Sequence, residues 1–451
     1  MSSSTLPFDR LSRRVPLALP GDDAYARLAT PWNLAVTSTP AAVVEARGVE
    51  DVVEAVRFAA GTGLPAAVQA TGHGIAGNLD GALLIHTGRL DECVVHPDGW
   101  ARVGAGVRWQ RVLEAAAPYG LAGLAGSAPH VGVVGYTTGG GLGPVSRTFG
   151  YASDLVRAAE VVTGDGELLR VTPGHELFAA VRGGKGAVGI VTALEFDLFE
   201  QREIYGGALW FDGAAAADLL GAWRGWADSL PEQATTSIAL MQLPPLPAVP
   251  PPLAGRLTVA VRFAWTGPAA DGEELLRPLR TVADPIADTV TTLPYAGIGA
   301  VHSDPVDPMP AHDETDVLHS LPAEAVEALL GVAGPGSGSP QTIVELRQLS
   351  GALARPPAHP DVLCQREGGY NLAMIGAMVP PVADVVPAHA AAVRAALAPW
   401  STGGAQPNFA SGTGPDRLAR SYDPSTLARL TELAAKYDPA RVLRVGQVPV
   451  R

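Results

Sequence analysis

The sequence has few cysteines, no run of basic residues and no long apolar segment. Cys93 and Cys364 are its two cysteines, and they form neither a CxxC pair nor the framework of a disulfide-rich protein. The formal net charge of −13 argues against nucleic acid or an anionic membrane as the main partner, because both require a basic surface. No apolar run reaches the roughly 18 residues of a membrane span, so we expect no transmembrane helix.

The N-terminal segment also lacks a targeting pattern. Residues 1–10 show no basic region followed by an apolar one, and Asp9 and Arg10 come too early for a signal peptide. We therefore expect a cytoplasmic protein. At 451 residues, with 47% hydrophobic residues, the chain exceeds the usual size of one hydrophobic core, which predicts two domains.

A loop of small residues follows an apolar strand that ends near Val68. Its glycines permit positive φ and close backbone approach, so several N–H groups can converge on a phosphate. His73 is the bulky exception, and by itself it fits a structural hydrogen-bonding role as well as a cofactor-binding one. The loop consists of Gln69, Ala70, Thr71, Gly72, His73, Gly74, Ile75, Ala76 and Gly77.

Two further glycine-rich segments follow, at 126–143 and 183–186. The first does not have the GxGxxG spacing of a Rossmann fingerprint, and no acidic residue follows at the expected distance. Its three consecutive glycines permit the backbone to lie flat against a planar or anionic group. Three such loops before residue 190 favour one extended cofactor.

The pattern changes after Phe199. Predicted helices at 213–228, 271–282, 322–333 and 384–398 alternate with predicted strands at 235–242, 256–264, 341–349 and 370–378. This order predicts a second α+β domain with an antiparallel sheet. Near its middle, His302, His312 and His319 suggest a metal site, but the proline-broken stretch at 304–311 favours a mobile surface loop, and we predict no metal.

The order of these features resembles a berberine-bridge-enzyme-like flavoprotein of the vanillyl-alcohol-oxidase superfamily. The motifs are the His73 loop, the segment at 128–143, the loop at 183–192 and a terminal Lys-Tyr-Asp-Pro at 436–439. The similarity covers residues 30–200 and 425–449, and it reaches the middle only in outline, at 345–353. It implies an α+β fold made of a PCMH-type two-part FAD-binding domain (30–200), a substrate-binding domain whose antiparallel sheet is flanked by helices (201–404), and a C-terminal segment (405–451) that returns to the FAD domain.

The resemblance assigns the cofactor and its attachment. The first-loop histidine of that family bonds covalently to the 8-methyl carbon of FAD, which implies His73. Many members add a cysteinyl bond before the proline of the second segment, where this chain has Ala128, so we predict a single bond. The residues expected to contact FAD are His73, Gln69, Ala70, Thr71, Gly72, Gly74, Gly77, Ala128, Pro129, Val131, Gly132, Gly135, Tyr136, Gly139, Gly140, Gly141, Gly143, Gly189, Val191 and Asn408.

The resemblance does not supply the proton acceptor. Members often carry Tyr-x-Asn near the C-terminus, but this chain has Gln406 and Asn408, and glutamine cannot act as a base. Within the predicted strand at 341–349 we choose Glu345 as a base with a raised pKa, the alternative being a salt bridge to Arg347. The predicted catalytic residues are Glu345, Gln348, Tyr370 and Asn371.

The resemblance also implies the reaction. Val131 occupies a position where valine leaves room for oxygen, which favours an oxidase that removes hydride from a C–OH or C–N carbon and releases hydrogen peroxide. The expected partners are a small secondary metabolite and molecular oxygen, in a monomer or homodimer. A dehydrogenase of the same fold, a flavin-dependent cyclase without net redox change and a non-enzymatic binding module remain as alternatives.

Overall fold

A computed structural model describes residues 8–75, 77, 79–247, 249–410 and 414–443. Three features of the sequence analysis lie partly outside the described residues. They are the N-terminal residues 1–7, Ala76 of the first glycine loop, and positions 444–449 of the C-terminal similarity.

The first layer is a four-stranded sheet in the order β1-β2-β4-β3, with β2, β4 and β3 parallel. Its helix α3 buries Val52, Ala55, Val56 and Ala59 at helical spacing, carries an acidic pair in its first turn, and ends at a left-handed glycine. The elements are α1 (Phe8–Ser12), β1 (Leu17–Ala18), α2 (Asp23–Ala29), β2 (Ala42–Glu45), α3 (Val49–Thr62), β3 (Ala66–Gln69) and β4 (Leu83–His86).

The second layer is a five-stranded antiparallel sheet in the order β5-β6-β10-β8-β9, beside the short pair β7–β11. Strands β8 and β9 form a hairpin around the Gly-Asp-Gly turn at 164–166. The elements are β5 (Cys93–His96), β6 (Trp100–Gly104), α4 (Trp109–Ala116), β7 (Leu121–Ala122), α5 (Val133–Thr137), α6 (Ser146–Phe149), β8 (Val156–Val162), β9 (Leu168–Val171), α7 (Phe178–Val181), β10 (Ile190–Asp197) and β11 (Phe199–Glu200).

The third layer is an antiparallel sheet in the order β15-β12-β14-β13-β18-β19-β17, with β16 also paired to β12. Helices α8–α11 pack on one of its faces around Trp223, Leu276, Leu329 and Val393. The elements are β12 (Glu203–Asp212), α8 (Ala216–Ser229), β13 (Ala234–Gln242), β14 (Leu257–Trp265), α9 (Ala269–Arg280), β15 (Ala287–Asp288), β16 (Thr291–Pro294), β17 (Ala311–Leu318), α10 (Ala323–Ala333), β18 (Ile343–Gln348), β19 (Tyr370–Ala377) and α11 (Val386–Leu397). Short 3-10 helices lie at Ala117–Tyr119, Ala152–Leu155, Gly213–Ala215, Tyr295–Val301, Gly351–Ala354 and Ala398–Trp400.

The C-terminal segment packs against the first two layers. Its helices are α12 (Pro415–Ser421) and α13 (Pro424–Tyr437), and Leu430 and Leu433 of α13 join the core of the second layer. Beyond α13, Val442 accepts a hydrogen bond from the backbone N–H of Ala66 at 2.8 Å. None of the helices in the described ranges is both long and apolar enough to cross a bilayer.

Strand β17 corrects one expectation. Residues 312–314, which we placed next to a mobile surface loop, lie inside this strand. Their polar side chains have low strand propensity, and β17 is an edge strand that pairs with β19 alone, so the local pattern does not reveal it. Within the described ranges, no group of three or more His, Cys, Asp or Glu side chains is placed to hold a metal ion.

Candidate active site

The three glycine-rich loops line one cavity of about 360 Å³, which also touches the third sheet and the C-terminal segment. A cavity of this size is in the range of cofactor and ligand sites. Of the residues expected to contact FAD, the cavity wall contains Gln69, Ala70, Thr71, Gly72, His73, Gly74, Gly77, Ala128, Val131, Gly132, Gly135, Tyr136, Gly189, Val191 and Asn408. Among the lining residues that the sequence analysis did not assign to the cofactor are Lys185, Gly186, Arg347 and Phe409.

His73 is held in one orientation by its neighbours. Its ring stacks on Trp32 with centroids 4.4 Å apart, and Nδ1 lies 3.0 Å from the Thr71 hydroxyl oxygen. Gly72 has φ of 75°, and a Cβ at this position would lie 2.6 Å from Pro31, so the turn before His73 requires glycine.

The His73 imidazole is neutral at physiological pH. Burial, together with the nearby His130 and Arg108, lowers its pKa from 6.5 to about 3. Its Nε2 is buried and has no hydrogen-bond partner among the described residues. A neutral imidazole nitrogen with a free lone pair is a nucleophile, which is the chemistry that attachment of a cofactor requires.

The second loop contributes a buried phenol to the cavity. Tyr136 lies in α5, and its ring packs edge-on against Trp109. Burial raises the pKa of Tyr136 well above its usual range, and its hydroxyl has no partner within the part of the chain that the structure describes. Tyr136 therefore offers a neutral hydrogen-bond donor to the cavity.

Five residues of the second loop do not line the cavity, contrary to expectation. A Cβ on Gly139 would lie 2.0 Å from Asn408 Oδ1, and one on Gly141 would lie 2.6 Å from the Tyr136 ring. The glycine run therefore makes room for the protein's own side chains instead of for the cofactor. The five residues are Pro129, Gly139, Gly140, Gly141 and Gly143.

A short chain of hydrogen bonds joins the third loop to the second. Lys185 Nζ donates to Asn408 Oδ1 at 3.0 Å, and Asn408 Nδ2 donates to the Tyr136 carbonyl oxygen at 2.7 Å. Burial and the charge of Arg417 lower the Lys185 pKa from 10.5 to about 7. Asn408 therefore connects the C-terminal segment with both loops.

Glu345 is not the base that we predicted. Its Oε1 accepts a hydrogen bond from Arg262 at 2.6 Å, and its Oε2 accepts one from Arg347 at 2.7 Å. Burial alone would raise its pKa, but the two guanidinium groups outweigh burial and hold the pKa well below its usual value. The prediction of a raised pKa is wrong, and the alternative of a salt bridge to Arg347 describes the geometry.

Glu345 instead positions Arg347. The Arg347 guanidinium lies over the Phe409 ring, 5.3 Å from its centroid, and both residues line the cavity. Burial alone would lower the Arg347 pKa, but the charge of Glu345 outweighs burial, and the pKa is raised. Arg347 thus gives the cavity a permanent positive charge.

The other three predicted catalytic residues lie outside the cavity wall. Gln348 donates to the Ala227 carbonyl oxygen at 2.5 Å and Tyr370 donates to Asp228 Oδ1 at 2.8 Å, so both side chains contact the helix-covered face of the sheet. Asn371 pairs in register with Arg347, but its Oδ1 accepts from Thr315 at 3.2 Å. The predicted placement of Gln348 and Tyr370 against substrate is therefore corrected, whereas that of Asn371, which shares a sheet face with Arg347, stays a prediction.

A second cavity of about 320 Å³ shares His73, Lys185, Asn408 and Phe409 with the first. Its distinctive residue is Asp313 on β17, whose pKa burial raises from 3.8 to about 6. Asp313 is a carboxylate whose proton affinity suits acid–base work near neutral pH. The sequence analysis missed this role because β17 was not predicted.

These residues fit a flavin dinucleotide. The first loop offers a cavity wall with little side-chain bulk, His73 offers an unpartnered nucleophilic nitrogen, and Lys185 and Arg347 offer positive charge. Neither Cys93 nor Cys364 lines the cavity, and Ala128 stands at the position of a second covalent bond. The cavity wall thus offers one side chain, His73, at the positions where the resemblance expects a covalent bond to the cofactor.

Comparison with known proteins supports the assignment of an FAD site. Residues 40–172 match the family model of an FAD binding domain. An FAD-linked oxidoreductase from Dictyostelium discoideum is 25% identical over 417 residues, which cover 90% of this chain and 88% of that protein. The (R)-6-hydroxynicotine oxidase of Paenarthrobacter nicotinovorans is 30% identical over 232 residues, which is half of each chain.

Solved structures share the whole fold. Physcomitrella patens BBE-like 1 superposes with a TM-score of 0.85 at 19% identity, covering 98% of this chain and 99% of that one. The glucooligosaccharide oxidase of Acremonium strictum, whose structure is described as revealing a novel flavinylation, superposes with a TM-score of 0.82 at 20% identity over the full length of both chains. The matching FAD-binding domain and the relative aligned along most of the sequence identify this chain as an FAD-linked oxidoreductase, and it shares the fold of the berberine-bridge-enzyme-like structure.

Proposed function

We propose that this enzyme is an oxygen-using oxidase with FAD attached through a single covalent bond to His73. Its substrate is a small secondary metabolite that loses hydride from a C–OH or C–N carbon, and its second product is hydrogen peroxide. The observation that carries the proposal is the neutral imidazole in the cavity wall whose Nε2 has no partner among the described residues.

Several residues of the chain have separate proposed roles in the reaction. When bound, FAD supplies the two-electron acceptor that takes hydride from carbon and passes the electrons to oxygen. Arg347, held by Glu345, would supply a fixed positive charge in the cavity wall that stabilises negative charge on the bound reactants. Thr71 orients the His73 ring through Nδ1.

Asp313 is the proposed proton acceptor for the substrate heteroatom. It lines the cavity that adjoins His73 and Asn408, whereas Gln406 donates to the Tyr151 hydroxyl at 2.9 Å and does not line either cavity. A carboxylate with a raised pKa takes a proton more readily than an ordinary aspartate does.

We also propose how the chain divides into domains. It has an FAD-binding domain at 30–200, a substrate-binding domain at 201–404 and a C-terminal segment at 405–451. The contacts of α13 and Val442 with the first two layers support the return of this segment to the FAD domain.

The first test is denaturation of the purified protein in acid, followed by measurement of flavin fluorescence in the precipitated chain. We expect flavin to stay with the wild-type chain and to be released from His73→Ala. Release from the wild-type chain would contradict the covalent bond.

A substrate screen in an oxygen electrode then separates the alternative reactions. Dye reduction without oxygen uptake indicates a dehydrogenase, and product formation without either indicates a cyclase.

A further inference from the structure

Lys185 stands apart from the other charged residues of the chain. The sequence contains two lysines, Lys185 and Lys436. Lys436 is exposed on α13 and forms an ion pair with Glu176. Lys185 lies in the third glycine loop and lines both cavities, so protein and cavities surround its ammonium group.

The position of Lys185 is closely defined. Its φ is 45°, a left-handed conformation that costs free energy for a residue with a Cβ. Its backbone N–H donates to the Thr138 carbonyl oxygen at 3.0 Å, and its Nζ donates to Asn408 Oδ1 at 3.0 Å. A Cβ placed on Gly74 would lie 3.0 Å from Nζ, so the ammonium group rests directly against the first loop, beside His73.

No carboxylate neutralises this ammonium group. Within the described ranges Lys185 forms no ion pair, and the sequence outside them contains no Asp or Glu. The charged side chain that acts on it is Arg417, which is also a cation. A surrounded charge without a counter-ion is costly, and an anion bound beside it would remove that cost.

We propose that Lys185 is the cationic partner of the FAD diphosphate. The inference rests on binding of FAD in the cavity of the three loops, and it adds a residue that fixes the phosphate end of the cofactor. Lysine binds phosphate as a compact point charge, and because Gly74 has no side chain, Nζ can lie against the backbone of the first loop at the wall of both cavities. Asn408 Oδ1 orients the ammonium group without neutralising it.

The test compares ligands that differ in the phosphate group. In the His73→Ala background, where FAD exchanges freely, the full-length apoprotein is titrated with FAD and with riboflavin, which has no phosphate. We expect Lys185→Met to weaken FAD binding about tenfold or more and to change riboflavin binding by less than about twofold. The matched control, Lys436→Met, should leave both affinities unchanged.

Three results would overturn the inference. FAD affinity could stay unchanged in Lys185→Met, or both ligands could weaken equally. The flavin reduction potential could instead shift with no change in FAD affinity, which would place the charge against the ring. Failure of the proposed function is separate, because it appears as loss of acid-stable flavin in the protein with an intact His73.

Thermal unfolding distinguishes this role from a structural one. Because the unpaired cation destabilises the apoprotein, Lys185→Met should melt at the same temperature as the parent or higher without FAD, and lower than the parent with FAD. A residue needed for packing would lower both melting temperatures, and that result would contradict the proposal.

Amine labelling provides a measurement without substitution of either lysine. In His73→Ala apoprotein at pH 8, acetic anhydride should modify Lys185, because a lowered pKa leaves much of the amine unprotonated. Bound FAD should protect Lys185 and leave Lys436 as reactive as before, with both sites read by mass spectrometry. Equal labelling of Lys185 with and without FAD would contradict the contact.

Discussion

Two carboxylates on the same sheet show that neighbours decide what an acidic side chain does. Glu345 on β18 lies between Arg262 and Arg347 and stays ionised, so it anchors a cation. Asp313 on β17 has no ion-pair partner among the described residues, and burial raises its pKa to about 6. The residue with the cationic partners is structural, and the residue without them is available for proton transfer.

The first prediction concerns Asp313→Asn. If ionised Asp313 accepts the substrate proton, kcat/KM of the wild type should rise as the pH increases through about 6, and the variant should lose both this rise and most of its activity. Steady-state kinetics between pH 5 and 8 measures the effect. Asp307→Asn, an exposed carboxylate in the preceding loop, should keep the wild-type profile.

Asp313→Asn should also change how the stability of the protein depends on pH. A folded-state pKa raised above the ordinary 3.8 favours the folded protein at low pH, and that contribution is lost as the pH rises through about 6. In the His73→Ala background without FAD, Asp313→Asn should therefore be more stable than its parent at pH 8, by up to about 3 kcal/mol, with the difference shrinking below pH 6. Urea unfolding at the two pH values checks it, and equal stability at pH 8 would contradict the raised pKa.

The second prediction concerns Glu345→Gln. Loss of this charge leaves two buried guanidinium groups without a counter-ion, and we expect the free energy of unfolding to fall by about 3–5 kcal/mol. Because the Glu345 pKa is lowered in the folded state, the loss is fully present above pH 4.5 and narrows as the pH falls further. Urea denaturation measures it. In Glu274→Gln, whose ion pair with Arg277 is exposed, the change should stay below about 1 kcal/mol.

Residue roles were predictable from sequence where they depend on neighbours in the chain. The His73 loop stands out because glycine, histidine and small residues are adjacent, and the structure places that loop in the cavity wall. The environment of Glu345 was not predictable, because Arg262 lies on β14, two strands away in the sheet. Long-range pairs of this kind set pKa values and leave no local pattern.

At the scale of elements, strand β17 joins the third sheet to the N-terminal segment. Asn33 Nδ2 donates to the Ala311 carbonyl oxygen at 2.9 Å, and Asn33 Oδ1 accepts from the Ala311 N–H at 3.0 Å. One buried amide therefore satisfies both backbone groups at the start of an edge strand. The same strand presents Asp313 to the second cavity two residues later.

The third prediction follows from this contact. Asn33→Ala leaves two backbone groups of Ala311 without partners, and we expect a loss of about 1–3 kcal/mol of stability, with faster amide exchange along residues 311–318. Hydrogen–deuterium exchange with peptide resolution measures it. Asn33→Asp keeps the acceptor and loses the donor, so its exchange rates should fall between those of Asn33→Ala and wild type. Unchanged exchange in Asn33→Ala would show that the amide does not hold the strand.

Elements with clear periodicity were predicted well. Helices α8–α11 and strands β13, β14, β18 and β19 lie within a few residues of the predicted ranges. The helices and the strands bury one face against each other, which gives their sequences a clear hydrophobic periodicity. Strand β12 was missed, since Gly206 and Gly207 interrupt its pattern. Strand β17 was missed because of its run of polar residues.

At the scale of the whole molecule, the α+β fold with its PCMH-type FAD-binding domain and antiparallel sheet is confirmed by the shared fold of related structures and by the matching FAD-binding domain. The cavity wall combines loops of the first two layers with Arg347 of the third sheet and with Asn408 and Phe409 of the C-terminal segment. A ligand in this cavity therefore contacts every major part of the chain.

The fourth prediction is that FAD stabilises all of these parts together. A ligand that binds the folded state alone, at about 1,000 times its dissociation constant, adds about 4 kcal/mol. In His73→Ala, which exchanges FAD, added FAD should raise the melting temperature of one cooperative transition, as seen by scanning calorimetry. Riboflavin at the same multiple of its own dissociation constant is the control and should give a similar rise. A transition that splits on adding FAD would show that the flavin stabilises one part alone.

The scattered origin of the cavity wall has a consequence for how the enzyme is made. The ribosome synthesises the chain from the N-terminus. His73 therefore leaves the ribosome long before Asn408 and Phe409 are made and can complete the cavity wall. Flavin capture therefore waits until nearly the whole polypeptide has been synthesised. A chain truncated before residue 408 would leave the ribosome with its nucleophilic histidine in place and no closed site to hold the cofactor against it.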